Sequence, residues 1–237
     1  MSSTQPTREK IDHLTWPDIL VLTVIMWGHS IVTSTTAYLS QLEGTETADE
    51  SLEFAASDNY GALAMQAVLL LLALAYLWMR RFDFRTWHVR LSPKALVQGI
   101  LVFLGGALLM DAYLLITSPL TEILPIPGPI GAFFGNETVS KVIYSLLNGF
   151  YEEIYFLGIC LAVKPHQLKW AVPFSLLVRA SFHTYQGMIN ALGIGVLFGG
   201  LIYLLYKRSK DKNLLPFFIA HAMGDIFGVG LVSYFWT

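Results

Sequence analysis

Charge is scarce along this chain of 237 residues: Asp, Glu, Lys and Arg together make up 14% of it, where a soluble domain carries about 25%. A chain so poor in charge cannot clothe itself in a hydrated surface, and a soluble globular domain is excluded. The formal net charge of −2 brings no basic excess, and the basic residues fall in loops, so no nucleic-acid partner is expected. One cysteine, Cys160, excludes an intrachain disulfide; lying in an apolar stretch, it reads as a small buried hydrophobe. No HExxH occurs, which excludes an ordinary zincin helix, and no GxSxG occurs. His29-Ser30 is a coincidental polar pair. No internal repeat, low-complexity segment or separate soluble domain stands out. A cleavable signal pattern is also missing: Arg8 and Lys10 precede a run long enough to span, without a small-residue cleavage site.

Hydrophobic residues make up 54% of the chain and give a mean hydropathy of +0.55. Several runs exceed the roughly 20 apolar residues needed to cross a hydrocarbon core. The pattern predicts an all-α, polytopic membrane helix bundle, one integral-membrane domain over residues 1–237. Seven spans are expected, near 18–40, 60–80, 94–118, 139–162, 168–186, 187–207 and 214–235, with the fifth and sixth nearly continuous through Tyr185-Gln186-Gly187. If each span crosses once, every lysine and arginine except Lys141 and Arg179 falls on one side. The loop at 41–59, with Glu43, Glu46, Asp49, Glu50, Glu53 and Asp58 but no base, falls on the other, as does the proline-rich turn at 124–131. The positive-inside rule then places the N-terminus in the cytoplasm and the C-terminus outside.

Against this background the sequence NGFYEEIYFLG at 148–158 stands out. An acidic residue at the bilayer centre costs about 2.5–3.5 kcal/mol on insertion scales, and here Glu152 and Glu153 are adjacent. The fifth span adds Arg179 and His183, and the seventh adds His221 and Asp225. Each of these last pairs is four residues apart, so its members share one helix face. Ionisable groups in spans face the bundle interior, pair with one another and mark a functional path. The simplest arrangement gathers Glu152, His183, His221 and Asp225 around one cavity. At 1.5 Å per residue, Glu152 and His221 come out about 10 Å from the cytoplasmic boundary and His183 about 20 Å. That mismatch requires shifted boundaries, or a fifth helix tilted or bent near Pro173.

A carboxylate and a histidine converging on a water can take its proton, while a second histidine and an Asx side chain can steady an oxyanion. The same four residues, Glu152, His183, His221 and Asp225, are suitable donors for a divalent metal such as zinc, although nothing in the sequence requires a cofactor. Asp111 and Gly224-Asp225 match an intramembrane aspartyl protease only weakly, because Ala222 stands where GxGD has its first glycine.

Glu152-Glu153, then His183, then His221-x-x-x-Asp225 resembles the CPBP family, the CAAX prenyl endopeptidase and bacteriocin-processing proteins also called Abi. Its pattern is EExxxR, FxxxH and HxxxN or HxxxD, and the family-like core covers about 139–235. The resemblance implies an intramembrane endopeptidase, with Glu152 and His183 activating water and His221 and Asp225 stabilising the oxyanion. Its substrate would be a peptide or protein in or at the bilayer. Two positions depart from the pattern: Leu157 replaces the arginine of EExxxR, and Arg179 replaces the phenylalanine of FxxxH. Neighbours on a helix point about 100° apart, so Glu153 needs a partner other than that of Glu152, and Arg179 can supply it from the next helix. The competing readings are an inactive membrane partner, such as an immunity factor or a regulator of a membrane sensor, and a proton-coupled transporter.

Three features outside the core have structural readings. The segment with Arg80, Arg81, Arg85 and Arg90 among Phe82, Phe84 and Trp87 reads as a positive-inside anchor at the headgroups. Gly195, Gly199 and Gly200 form a small-residue stripe for close packing. Tyr234 and Trp236 fit an outer aromatic belt.

Overall fold

The computed structural model describes residues 9–44, 56–123 and 139–231. The acidic stretch 45–55, the proline-rich turn at 124–131, Arg8, Tyr234 and Trp236 lie outside the described residues. Within them the chain is all-α: helices α1 (Trp16–Leu42), α2 (Ala56–Met79), α3 (Pro93–Thr117), α4 (Val139–Glu153), α5 (Leu168–Phe182), α6 (Met188–Leu192), α7 (Gly199–Arg208) and α8 (Leu215–Phe227). Two stretches of wider π-turn interrupt this order, Ile154–Ile159 after α4 and Gly193–Phe198 between α6 and α7.

Among the described residues, four helices are long and apolar enough to cross a membrane: Trp16–Leu42, Ala56–Met79, Pro93–Leu120 and Met188–Arg208. The first three turn large side chains outward, among them Val24 (71% exposed), Trp78 (75%) and Leu101 (61%). In a lipid-facing helix such exposure costs nothing, because acyl chains are as apolar as the side chains. Of the other three expected spans, α5 and α8 are shorter. The α4 helix with its π-turn runs 139–159, α5 has 15 residues and α8 has 13. These three carry Glu152, Glu153, Arg179, His221 and Asp225. The α8 helix stops early because Gly228 adopts φ +80°, a left-handed conformation that favours glycine. Beyond it the Leu231 amide donates to Asp111 Oδ2 at 2.8 Å, which ties the segment after α8 to α3.

Close packing joins the short helices. A Cβ on Gly149 of α4 would lie 2.7 Å from the Phe218 carbonyl oxygen of α8, and one on Gly195 would lie 2.4 Å from Ala180 Cα of α5. Gly199 faces Leu176 and Arg179, whereas Gly200 has nothing within 4 Å. The small-residue stripe is therefore two residues deep rather than three. Trp27 of α1 stacks on Phe182 (centroids 4.1 Å apart) and on Phe156 (5.7 Å), binding α1 to α5 and to the turn after α4.

The arginine-rich segment is more than a headgroup anchor. Phe82 is buried, Trp87 donates its indole N–H to the Gly158 carbonyl at 2.9 Å, and Arg80 pairs with buried Asp18 at 2.6 Å. The first of these contacts follows from the π-turn, which leaves carbonyls out of the ordinary i−4 ladder and in need of donors. Cys160 is fully buried, as its apolar surroundings imply.

Candidate active site

The α4 helix ends with three polar side chains turned inward. Asn148 and Glu152 are four residues apart and share a face; Glu153 points elsewhere and is 0% exposed. Directly after Glu153 the helix widens into the π-turn Ile154–Ile159, a distortion often found at functional sites.

The α8 helix places His221 between the two glutamates. Its Nδ1 lies 2.8 Å from Glu153 Oε1, and its Nε2 lies 3.5 Å from Glu152 Oε1 and 3.7 Å from Asp225 Oδ1. The same Glu153 oxygen accepts from Arg179 Nη2 at 2.6 Å, so it acts as an acceptor and the imidazole supplies the N–H. That bond fixes which way the ring faces: Nδ1–H toward Glu153, Nε2 toward Glu152 and Asp225. Arg179 itself is 2% exposed and lies over the Phe156 ring, 4.1 Å from its centroid. An arginine from α5 thus meets the carboxylate that the EExxxR pattern would serve from its own helix.

His183 caps the C-terminus of α5, half-buried beside Phe182 (4.4 Å between centroids). It lies within electrostatic reach of Glu152, Arg179 and His221. The turn that follows is strapped to α1, where Ser34 accepts from the Tyr185 amide at 2.9 Å and Gln41 donates to the Tyr185 carbonyl at 2.9 Å. The α5 helix runs from Leu168 to Phe182 and ends one residue before His183.

Several buried polar atoms here have no protein partner: Glu152 Oε2, Glu153 Oε2, Arg179 Nη1 and both ring nitrogens of His183. Buried polar groups are ordinarily satisfied, so such a concentration marks a place for water or substrate atoms. Among the described residues no group of three or more His, Cys, Asp and Glu side chains is set to hold a metal ion.

Two residues escaped the sequence reading. Asn148 Nδ2 donates to Asp225 Oδ2 at 2.8 Å and to Glu152 Oε1 at 3.2 Å, and Gln66 of α2 donates to Asn148 Oδ1 at 2.6 Å. The signal for Asn148 is its i−4 spacing from Glu152; Gln66 is marked only by being an amide in an apolar span. His29, by contrast, is exposed on α1, away from this cluster. A cavity of about 320 Å³ opens elsewhere, among His13, Trp87, Leu157, Tyr203 and Lys212, and holds none of the clustered carboxylates.

The fold and the cluster define a class: a multi-pass helical membrane protein with a buried Glu/His/Asp constellation built from three helices. Residues 134–227 match the family described as type II CAAX prenyl endopeptidase Rce1-like. The match supports a likeness of this stretch to the CPBP, or CAAX-protease, family of membrane proteases. No curated protein and no solved structure matches the chain.

Proposed function

We propose that the protein is an intramembrane endopeptidase of the CAAX-protease type, hydrolysing a peptide bond with water activated by Glu152 and His183. The observation that carries this reading is the convergence of α4, α5 and α8 on unpartnered Glu152 and His183 atoms beside His221. Glu152 Oε2 takes a proton from water, and the hydroxide adds to the scissile carbonyl carbon. His221, carrying both N–H groups, donates Nδ1–H to Glu153 and turns Nε2–H toward the new oxyanion, with Asp225 beside it. Glu152 then returns the proton to the leaving amine as the C–N bond breaks. Glu153 and Arg179 keep His221 oriented and the local charge balanced. The substrate is a peptide or protein segment in or at the bilayer.

The test is to incubate detergent-purified wild type and Glu152→Ala with membrane peptides from the source cell and compare the products by mass spectrometry. A cut made by wild type alone is the expected result; identical products from both would overturn the reading.

The orientation proposed is N-terminus in the cytoplasm and C-terminus outside, supported by the basic loops. In a Cys160→Ser background, Lys10→Cys should react with an impermeant maleimide only after permeabilisation, and Gly44→Cys in intact cells. The opposite pattern would invert the topology.

A further inference from the structure

The mechanism above leaves two amides unused, and both are held in place by their hydrogen bonds. Asn148 is 6% exposed and stands where α2, α4 and α8 meet. Its Nδ2 group donates to Glu152 at 3.2 Å and to Asp225 at 2.8 Å, joining two carboxylates that belong to different helices. An amide can rotate by a half turn and present its oxygen instead, which would face both carboxylates with a third acceptor. Gln66 opposes that rotation, because the Nε2–H it directs at the Asn148 oxygen at 2.6 Å favours the oxygen pointing toward α2.

We infer that Asn148 is a positioning residue for hydrolysis: keyed by Gln66, it clamps Glu152 and Asp225 through a shared N–H₂ group, so that Glu152 keeps Oε2 free for water. This rests on the protease reading and extends it to residues outside the family's motifs. It also gives the aspartate form of the HxxxN or HxxxD motif at position 225 a local reason. With a carboxylate in the Asx position, the neutral donor comes from α4 instead of α8. Gly149 brings the two helices close enough for this, since a side chain there would strike the backbone of α8. Without the clamp, only the more distant His221 Nε2–H, 3.5 Å and 3.7 Å away, would stand between the two carboxylates, and one would hold a proton to relieve the repulsion.

The experiment uses full-length protein in detergent and isosteric replacements, with two independent measurements. The first is cleavage of a synthetic peptide carrying the sequence cut by wild type. Asn148→Leu and Gln66→Glu should each lower kcat by about 10- to 100-fold, the worth of a hydrogen bond to a charged group, and leave KM nearly unchanged. The Asn148→Leu/Gln66→Glu double variant should be no worse than Asn148→Leu alone, because Gln66 acts through Asn148. The second measurement needs no substrate. Dicyclohexylcarbodiimide reacts with protonated carboxyl groups within membranes, and peptide mapping reads the modified residues. Asn148→Leu should be labelled several-fold faster at Glu152 or Asp225 than wild type. Asn59→Leu, which removes an amide bonded to Ser140 at the same α2–α4 interface, should match wild type. Full kcat in Asn148→Leu, multiplying losses in the double variant, or unchanged labelling would each overturn the clamp. A wild type that cuts no peptide would overturn the protease reading, while the labelling still decides whether Asn148 holds the carboxylates.

Discussion

Glu152→Gln and His183→Asn are each expected to lose about 10²- to 10⁴-fold in the rate of peptide cleavage, the usual contribution of general acid–base catalysis, and to melt close to wild type. Both parts of this expectation come from the geometry. Glutamine keeps the shape of Glu152 and can still accept from Asn148, but it cannot take a proton from water. His183 makes no hydrogen bond through either ring nitrogen, so removing its basicity breaks no bond within the protein. Turnover of the wild-type cut peptide and thermal unfolding in detergent are measured on the same preparations. A loss of stability parallel to the loss of rate would mean that the cluster holds helices together and does no chemistry. Unchanged rates with unchanged stability would remove both residues from the mechanism.

Arg179→Leu should have the second large effect, on stability. Glu153 is fully buried, Arg179 nearly so, and their 2.6 Å bond is the only one Arg179 makes to a carboxylate among the described residues. Removing one partner of a buried pair leaves an uncompensated charge and costs about 3–5 kcal/mol, so the melting temperature should fall by about 10 °C or more. Leu157→Arg on the same chain should recover much of this. Position 157 lies about one turn from Glu153 on the same helix, and Leu157 lines a small void together with Arg179 and Ser175. The double variant would restore the arrangement of the family pattern, with the arginine on the glutamate helix. Thermal unfolding of wild type, Arg179→Leu and Arg179→Leu/Leu157→Arg decides. An Arg179→Leu protein that melts like wild type would show that Glu153 does not depend on the pair. A double variant no better than the single would show that the void near Leu157 cannot seat a guanidinium.

Burial of Glu153 next to both Arg179 and His221 also explains why a membrane protein accepts two adjacent acids. Each keeps one unpartnered oxygen, but Glu153 fixes the arginine and the imidazole through its Oε1, while Glu152 Oε1 accepts from Asn148. Separate duties follow from helix geometry, since adjacent side chains point in different directions.

Composition and periodicity settled the class of this protein, because a lipid environment demands long apolar helices and leaves charge nowhere else to stand than inside the bundle or at its ends. The span boundaries for α1, α2, α3 and 188–208 were legible for the same reason. The polar residues Glu152, Glu153, Arg179, His183, His221 and Asp225 were legible as exceptions to an apolar background. The lengths of α5 and α8 were not, because hydropathy does not separate an apolar helix that crosses from one that ends within the bundle. Nor did sequence reveal that His221 bridges both glutamates, or that Asn148 and Gln66 join the network. Those pairings depend on which faces of separate helices are brought together. Close approaches such as Gly149 to α8 and Gly195 to α5 decide that, and they exist only in the packed structure.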